Sequence, residues 1–238
     1  MKIDFRGKTA LVTGGTRGIG KRIAEDLKSA GARVIVTGTK AKSGLKFKYY
    51  KVDFTDPDST DRFIKELKGH KRIDICINNA GISRIDNIEK TKVKDWDDIV
   101  AVNLKAPFLI TRAISKIMKK NRYGRIVNIS SIYGHISKAK RSIYSTTKFG
   151  IRGLTVAASN ELAKYGILVN SVSPGFVDTD MTRKILGAKG MKKVKGQIPA
   201  GRLATPKDIS TLVLFLASDL NTYITGKDII ADGGYVDV

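Results

Sequence analysis

Two side chains that can transfer a proton stand one helical turn apart near the middle of the chain. Tyr144 and Lys148 occur in the segment Ser-Ile-Tyr-Ser-Thr-Thr-Lys, and side chains four residues apart share one face of a helix. A lysine ammonium beside a phenol favours the phenolate, which lowers the tyrosine pKa from its ordinary value of about 10. Ser131 lies thirteen positions upstream of the tyrosine, and its hydroxyl can hold a carbonyl oxygen that the tyrosine protonates. These residue types predict acid–base chemistry at a carbonyl group.

The chain contains a second tyrosine–lysine pair with the same spacing. Tyr223 and Lys227 flank a Thr-Gly dipeptide, which is typical of a turn rather than of a helix face. We therefore expect no chemistry from this pair, and it provides an internal control.

A glycine-rich segment near the start of the chain predicts a phosphate-binding turn. The β-branched run 9–13 leads into Gly14-Gly-Thr-Arg-Gly18-Ile-Gly20, and apolar residues then recur at helical spacing. Glycines let the backbone approach a pyrophosphate, and a helix N-terminus offers free N–H groups to the anion. A tight strand–helix turn without a ligand is the alternative, because the glycine spacing differs from the commoner one.

Asparagine side chains occur at two further places in the chain, both next to apolar runs that are expected to be buried. Asn78-Asn79-Ala80-Gly81 ends a buried-strand run, and ligands bind at the carboxyl ends of strands in open parallel sheets. Asn103 lies inside an otherwise apolar helical stretch. A buried amide needs partners, so Asn103 belongs either to a functional site or to a satisfied position in the core.

Strand and helix patterns alternate along the whole chain, which predicts an α/β fold. We expect one domain over 1–238 with a Rossmann-like doubly wound parallel sheet of about seven strands. The predicted strands are 9–13, 33–37, 48–52, 73–77, 125–130, 167–172 and 228–231, and the predicted helices are 18–30, 57–68, 95–120, 143–164 and 206–218. Only about ten residues separate the second strand from the third, whereas a parallel crossover usually takes a dozen or more. The helix expected there is therefore predicted to be missing.

In order and spacing these motifs resemble the short-chain dehydrogenase/reductase family over nearly the whole chain. The matching residues are Thr13-Gly14-x3-Gly18-Ile19-Gly20, Asn78-Asn79-Ala80-Gly81, Asn103, Ser131, Tyr144-x3-Lys148 and Pro174-Gly175. Segments after residue 173 resemble those of the 3-oxoacyl-[acyl-carrier-protein] reductases, although relatives acting on sugars, steroids and cyclic alcohols share them.

The resemblance implies a hydride transfer between a nicotinamide and a carbonyl carbon, with four catalytic residues. Tyr144 would protonate the alkoxide, and Ser131 would stabilise its charge; Ser130 is the adjacent competitor. Lys148 would bind the nicotinamide ribose, and Asn103 would hold a water that links the lysine to solvent. The implied cofactor-binding residues are Gly14, Thr16, Arg17, Gly18, Ile19, Gly20, Thr39, Lys40, Asp53, Phe54, Asn79, Ala80, Gly81, Tyr144, Lys148, Pro174, Gly175, Val177 and Thr179.

The end of the second predicted strand favours NADP(H) over NAD(H), which stays as the alternative. An acidic residue there would bind the ribose 2′-hydroxyl and repel a 2′-phosphate, but the chain reads Thr37-Gly38-Thr39-Lys40. Arg17 and Lys40 can pair with a phosphate, and Thr39 can donate a hydrogen bond to it.

The composition is that of a globular chain with an unusual charge. Of 238 residues, 44 are Lys or Arg and 22 are Asp or Glu, which gives a formal net charge of +22. The basic residues are scattered, with mild clusters at Lys40–Lys48, Lys138–Arg141 and Arg183–Lys195. Apart from Phe47, Tyr49 and Tyr50, which better fit the entry of a strand, they lack the interleaved aromatics of a base-stacking platform. We interpret them as solvated surface or as an attraction for acidic partners, and expect no specific nucleic-acid binding.

The remaining expectations concern location, metals and assembly. No apolar leader and no membrane-length run occurs, so a cytoplasmic protein without a membrane segment is predicted. His70 and His135 lack metal-ligand spacing, so no metal site is expected, and the single Cys76 fits a core position. Residues 99–117 and the helix after Tyr144 are apolar on more than one face, which predicts a homotetramer or at least a dimer.

The substrate is left open by the sequence. A 3-oxoacyl thioester is favoured, with a secondary-alcohol, sugar or steroid substrate as the alternative. A non-catalytic nucleotide-binding scaffold is a remote third hypothesis, because the four implied catalytic residues are all present. An acidic acyl carrier protein is a predicted partner, and the resemblance places its docking cations, Lys119, Lys120, Arg122 and Lys164, beside the entrance of the site.

Overall fold

A parallel sheet of seven strands forms the centre of the molecule. The computed structural model describes residues 3–40 and 47–236. The strands are β1 (Thr9–Val12), β2 (Arg33–Gly38), β3 (Lys48–Lys51), β4 (Ile75–Asn78), β5 (Gly124–Ile129), β6 (Ile167–Pro174) and β7 (Asp228–Ala231). Their order in the sheet is β3-β2-β1-β4-β5-β6-β7, and every pairing is parallel. The predicted doubly wound α/β fold is confirmed.

Helices cover both faces of the sheet. They are α1 (Gly18–Ser29), α2 (Pro57–Lys68), α3 (Val93–Val100), α4 (Ala106–Asn121), α5 (Ser142–Leu162), α6 (Asp180–Lys195) and α7 (Pro206–Ala217). On one face α1 and α7 pack their buried apolar side chains against the sheet, and on the other face α2, α4 and α5 do so. Because both faces are covered, the central strands are buried along their whole length, as their continuous apolar runs require.

The predicted helix over 95–120 consists of three consecutive segments. Between α3 and α4 the chain forms a π-helical segment, Ala101–Lys105. Widening the helix by one residue per turn changes the direction of the side chains that follow, and such segments often occur at functional sites. Asn103, the amide noted above in an otherwise apolar helical stretch, lies inside this segment.

One helix was not predicted. The segment of α6 carries six basic residues, has no apolar periodicity, and is interrupted at Gly187, whose φ of 62° is left-handed. Since α6 buries Val194 almost alone, the sequence has no amphipathic signal there. The predicted absence of a crossover helix between β2 and β3 concerns residues 41–46, which lie outside the described residues.

Within residues 3–40 and 47–236, no helix is both long enough and apolar enough to cross a lipid bilayer.

Candidate active site

The strand order creates a crevice at the carboxyl edge of the sheet. β2 and β4 flank β1 on opposite sides. The connection that follows β1 therefore runs to one side of the sheet, and the connection that follows β4 runs to the other. Such a reversal opens a cleft for a ligand. The cleft has a volume of about 290 Å³ and extends from the glycine turn after β1 to the start of α6.

The glycine turn has the backbone that a phosphate site needs. Gly14 has a φ of 63°, which favours glycine. A Cβ on Gly20 would lie 2.3 Å from Asn79 Nδ2 and 2.4 Å from the Gly14 carbonyl oxygen, so no side chain fits there. The first turn of α1 contains no acidic residue, and its N-cap residue, Arg17, forms no side-chain capping bond. The N-terminal N–H groups of α1 are therefore available to an anion.

The end of β4 is bonded directly to this turn. Asn79 Nδ2 donates to the Thr13 carbonyl at 2.9 Å and to the Gly14 carbonyl at 3.2 Å. The backbone N–H groups of Asn79 and Ala80 both donate to Thr13 Oγ1 at 3.0 Å. The predicted amide motif thus holds the turn in place as well as lining the cleft.

Almost all of the predicted site residues lie together. Gly14, Thr16, Arg17, Gly18, Ile19, Gly20, Thr39, Asp53, Phe54, Asn79, Ala80, Gly81, Ser131, Tyr144, Lys148, Pro174, Gly175, Val177 and Thr179 all line the cleft. Two predicted residues do not. Lys40 is exposed just after β2, and its carbonyl accepts a hydrogen bond from the Tyr49 hydroxyl. Asn103 lies behind the lining, only 1% exposed.

The Asn103 amide is satisfied by neighbouring protein groups. Its Oδ1 accepts from the Ile82 N–H at 2.9 Å, and its Nδ2 donates to the Ile82 carbonyl at 2.9 Å and to Thr147 Oγ1 at 3.3 Å. These bonds join the π-helical segment to α5 and to the loop after β4. The contacts are those of a satisfied core asparagine, and its role in holding a water stays a prediction.

Ser131 and Ser130 differ in the direction of their hydroxyls. Ser130 Oγ donates to the Lys148 carbonyl at 3.1 Å, so this hydroxyl is engaged in holding α5. Ser131 Oγ accepts a hydrogen bond from the Tyr133 N–H at 3.2 Å. Its hydrogen bond with the Tyr144 phenol lowers the pKa of that phenol. Of the two serines, Ser131 is the one placed beside the tyrosine.

Burial dominates the electrostatics of Tyr144 and Lys148. It raises the pKa of Tyr144 above its ordinary value, and the Ser131 hydroxyl and the Arg141 guanidinium offset this only in part. Burial also lowers the pKa of Lys148 to about 8, with Asp228 acting in the opposite direction. Lys148 Nζ donates to the Ile129 carbonyl at 2.8 Å and lies 5.5 Å from the centre of the Tyr144 ring.

The predicted net lowering of the Tyr144 pKa is therefore wrong, because burial outweighs the groups that lower it. The four-residue spacing does bring the two side chains together, but the ammonium is directed at a carbonyl oxygen of β5. A neutral phenol is the form that donates a proton, and the raised pKa keeps Tyr144 in that form while making it a weaker acid.

The control pair lies outside the cleft, and its expected lack of chemistry stays a prediction. Tyr223 is 94% exposed, and neither Tyr223 nor Lys227 lines the cleft. Cys76 is fully buried and burial raises the pKa of its thiol, which confirms the predicted core position.

Three polar residues beside the cleft were missed by the sequence reasoning. Ser83, Tyr133 and Arg141 line a smaller cavity that shares Ser131 and Tyr144 with the cleft. Arg141 was counted with a surface cluster, but it is only 5% exposed. Its position three residues before Tyr144 was the one available signal, since i and i+3 side chains share a helix face.

The predicted docking cations lie away from the cleft. Lys119 and Arg122 end α4 just before β5 begins, whereas Ser131 follows the end of β5. A six-residue strand spans ~20 Å, so these cations lie at the amino edge of the sheet. Lys119 and Lys164 lie over the Tyr165 ring, at 4.6 and 5.5 Å from its centre. The prediction that this group flanks the entrance is wrong within one protomer.

Comparison with known proteins agrees with this geometry. The family model described as enoyl-(acyl carrier protein) reductase matches residues 14–236. The 3-oxoacyl-[acyl-carrier-protein] reductase of Aquifex aeolicus is 42% identical over 98% of this chain and 99% of its own length. The Escherichia coli protein of the same name is 38% identical over 98% of both chains. The chain belongs to the short-chain dehydrogenase/reductase family.

A solved structure extends the comparison to the fold. The gluconate 5-dehydrogenase from Burkholderia cenocepacia, in complex with NADP and tartrate, superimposes with a TM-score of 0.91 at 27% identity. The match covers 99% of this chain and 97% of that one.

Replacing Tyr144 with phenylalanine tests the proposed acid. The ring would remain and only the hydroxyl would be lost, so we expect turnover to fall by ~10²–10⁴-fold while cofactor affinity stays nearly unchanged. Steady-state kcat and a fluorescence titration of the cofactor measure the two effects. The matched variant Tyr223→Phe should leave kcat unchanged. A Tyr144→Phe enzyme that kept more than about a tenth of wild-type kcat would show that another group donates the proton.

Proposed function

We propose that the protein is an NADP(H)-dependent reductase of 3-oxoacyl thioesters attached to an acyl carrier protein. The observation that carries the proposal is that Ser131, Tyr144 and Lys148 line the same cleft as the glycine turn after β1. The curated relatives at 38% and 42% identity, which are named for this reaction, support the choice of substrate.

Tyr144, Ser131 and Lys148 have different roles in the proposed reaction. When bound, the dinucleotide supplies a hydride to the ketone carbon. Tyr144 gives its proton to the ketone oxygen, and Ser131 donates a hydrogen bond to that oxygen while negative charge develops on it. With a pKa of about 8, Lys148 is mostly protonated at neutral pH. Its charge therefore stabilises the phenolate that remains after the transfer.

A substrate panel tests the assignment. NADPH oxidation should be fastest with an acetoacetyl thioester and at least about tenfold slower in kcat/KM with cyclic ketones, keto-sugars and steroids. If a cyclic ketone or a keto-sugar gave the same kcat/KM as the thioester, the assignment to 3-oxoacyl thioesters would be wrong, and the alternative substrate class would take its place. No turnover with any ketone, together with tight NADPH binding, would favour the scaffold hypothesis.

The cofactor preference rests on charge at the end of β2. Within the described residues the cleft wall there contains Thr37, Gly38 and Thr39 and no acid, while Arg17 faces it from the glycine turn. A 2′-phosphate would thus meet a cation and a hydroxyl rather than a carboxylate. Lys40 lies just outside this wall, so Arg17 is the main candidate for the contact.

NADPH should bind more tightly than NADH for this reason. One charge-assisted contact contributes roughly 1.5–3 kcal/mol, which corresponds to about a 10- to 100-fold ratio of dissociation constants. Arg17→Ala should reduce that ratio to about threefold or less, and Lys40→Ala should change it less. Equal dissociation constants in the wild-type protein would contradict the charge argument.

A second basic surface lies where a carrier protein has to dock. The first turn of α6 supplies Asp180, Met181 and Thr182 to the cleft. The rest of α6 presents exposed lysines, Lys184, Lys189, Lys192, Lys193 and Lys195. We infer that an acidic carrier docks on α6, because this charge lies at the carboxyl edge, beside the opening.

Charge reversal compares the two surfaces directly. Lys189→Glu/Lys192→Glu should raise the KM for a carrier-linked substrate several-fold and leave a small thioester unaffected, and added salt should weaken the difference. The matched variant Lys119→Glu/Lys120→Glu removes the same charge at the amino edge. If this control had the larger effect, the carrier would dock at the amino edge of the sheet. Its substrate would then have to enter the cleft of another protomer.

We propose that the chain assembles as a homotetramer. Phe108, Phe149 and Val156 are between 45% and 48% exposed on α4 and α5, and Trp96 is 44% exposed on α3. Apolar side chains grouped on neighbouring helices are typical of a covered surface.

Light scattering measures the assembly. We expect four times the 26.0 kDa chain mass at micromolar protein. Phe108→Lys/Phe149→Lys should reduce the mass, because each lysine would have to be buried without a partner. A monomeric wild-type protein would overturn the proposal.

A further inference from the structure

A second cavity adjoins the catalytic residues on the side away from the glycine turn. Its volume is about 90 Å³, and Ser131 and Tyr144 belong to both cavities. Part of its wall is apolar, formed by Ile132, Phe176, Ile185 and Leu186. A ketone held between Ser131 and Tyr144 would therefore extend one of its substituents into this space.

A buried arginine faces this apolar wall. Arg141 is only 5% exposed and lines the cavity. Its guanidinium has five N–H donors, and its one hydrogen bond to a side chain of the described chain runs from Nη1 to Ser83 Oγ at 3.2 Å. No carboxylate among residues 3–40 and 47–236 forms an ion pair with it. Burying a charge without a counter-charge is costly, so the arrangement indicates that an anion binds there.

A tyrosine hydroxyl next to it also lacks a partner. Tyr133 is 6% exposed and lines the same cavity, and its buried hydroxyl forms no hydrogen bond within the described chain. The Arg141 guanidinium lies 5.2 Å from the centre of the Tyr133 ring. The same ring packs edge to face with Tyr144, at 6.2 Å between centres. Arg141, which has N–H groups beyond the one that donates to Ser83, and Tyr133, whose hydroxyl has no partner among the described residues, thus line one small space beside the reacting atoms.

The surrounding charge is positive as well. Lys138 is exposed at the rim, with its ammonium 5.7 Å from the Tyr133 ring and 5.9 Å from the Phe176 ring. Asp178, which precedes α6, is already paired with Arg183 at 2.8 Å. The planar fork of a guanidinium fits the two oxygens of a carboxylate, and the small cavity suits a planar group.

We propose that Arg141 and Tyr133 bind a carboxylate of the substrate, so that the enzyme also reduces small oxo acids. The inference uses the proposed catalytic residues and extends the proposed function to a second substrate class. In this reaction the ketone carbon gains the hydride and its oxygen gains the Tyr144 proton, while NADPH becomes NADP⁺. The 3-oxo acid becomes a 3-hydroxy acid, and its carboxylate stays bound to Arg141 throughout.

Matched substrates separate the charge from the reacting group. Acetoacetate and methyl acetoacetate carry the same ketone, but only the first carries a carboxylate. We expect wild-type kcat/KM for acetoacetate to exceed that for the methyl ester by about tenfold. Arg141→Gln, which removes the charge and keeps a polar side chain, should lower the value for the acid by ~30-fold and that for the ester by less than about threefold. Tyr133→Phe should lower the value for the acid by about fivefold.

Controls distinguish charge from general damage. Lys140→Gln removes the same charge from the same loop, but Lys140 is exposed and does not line the cavity, so both substrates should be unaffected. Arg141→Lys keeps the charge and should retain part of the preference for the acid. Calorimetric titration of the NADPH-loaded protein with 3-hydroxybutyrate measures binding without turnover, and Arg141→Gln should abolish the heat signal.

Two results would overturn the proposal. One is a wild-type enzyme that prefers the methyl ester; the other is an equal loss on both substrates in Arg141→Gln. The acetoacetyl thioester is assayed alongside. A protein active on the thioester that fails to prefer the acid retains the proposed function and loses this subsite. A protein that reduces acetoacetate but not the thioester has the subsite and loses the proposed function.

Discussion

The hydrogen bonds of the Asn79 side chain hold together the two strands on which the whole site depends. Its amide donates to the Thr13 and Gly14 carbonyls at the end of β1, although Asn79 itself follows β4. Those carbonyls belong to a turn whose left-handed Gly14 leaves the ladder of the sheet. A buried carbonyl without a partner costs free energy, so the amide both satisfies the turn and fixes its distance from β4. Gly20 then has to be glycine, because the same amide occupies the space of a Cβ.

A line of buried polar groups continues this arrangement through the sheet. Asn78 Nδ2 donates to Asn128 Oδ1 at 2.8 Å, and Asn128 Nδ2 donates to Thr155 Oγ1 at 2.9 Å. These bonds join β4 to β5 and β5 to α5, the helix that carries Tyr144 and Lys148. Polar groups in an apolar interior are satisfied in few geometries, so they fix the position of α5 more narrowly than apolar packing would. The placement of a proton donor requires that accuracy.

Burial has opposite consequences for the two titrating groups of the site. It favours the neutral form of both, which keeps the proton on the Tyr144 phenol and loosens the proton on the Lys148 ammonium. The carbonyl of Ile129 accepts a hydrogen bond from the Lys148 amine, and Asp228 opposes part of the lowering of its pKa. The catalytic pair therefore owes its properties to the depth of the cleft as much as to the contact between the two side chains.

The sequence by itself determined the order of most elements, and all but two of the site residues predicted from it line the cleft. Glycine spacing, apolar runs and the Tyr144–Lys148 interval are patterns of residues close together in the sequence, so they can be recognised without the fold. Segments such as 57–68 and 228–231 were predicted with the bounds that the structure has, because clear turn or capping signals flank them. The helix α6 was missed since it buries too little apolar surface to show a period.

Only the tertiary structure decided what depends on distance across the fold. Arg141 appeared to belong to a surface cluster, and its burial became visible only when the loop after β4 and the turn after β5 closed over it. The pKa direction of Tyr144 reversed because desolvation depends on all surrounding atoms, whereas the sequence shows only the nearest charge. The cations at the end of α4 proved to lie at the far edge of the sheet, because a parallel strand separates the end of one helix from the site that follows. Spacing along the chain establishes which side chains are neighbours on one element; burial and the facing of separate elements arise only when the chain is packed.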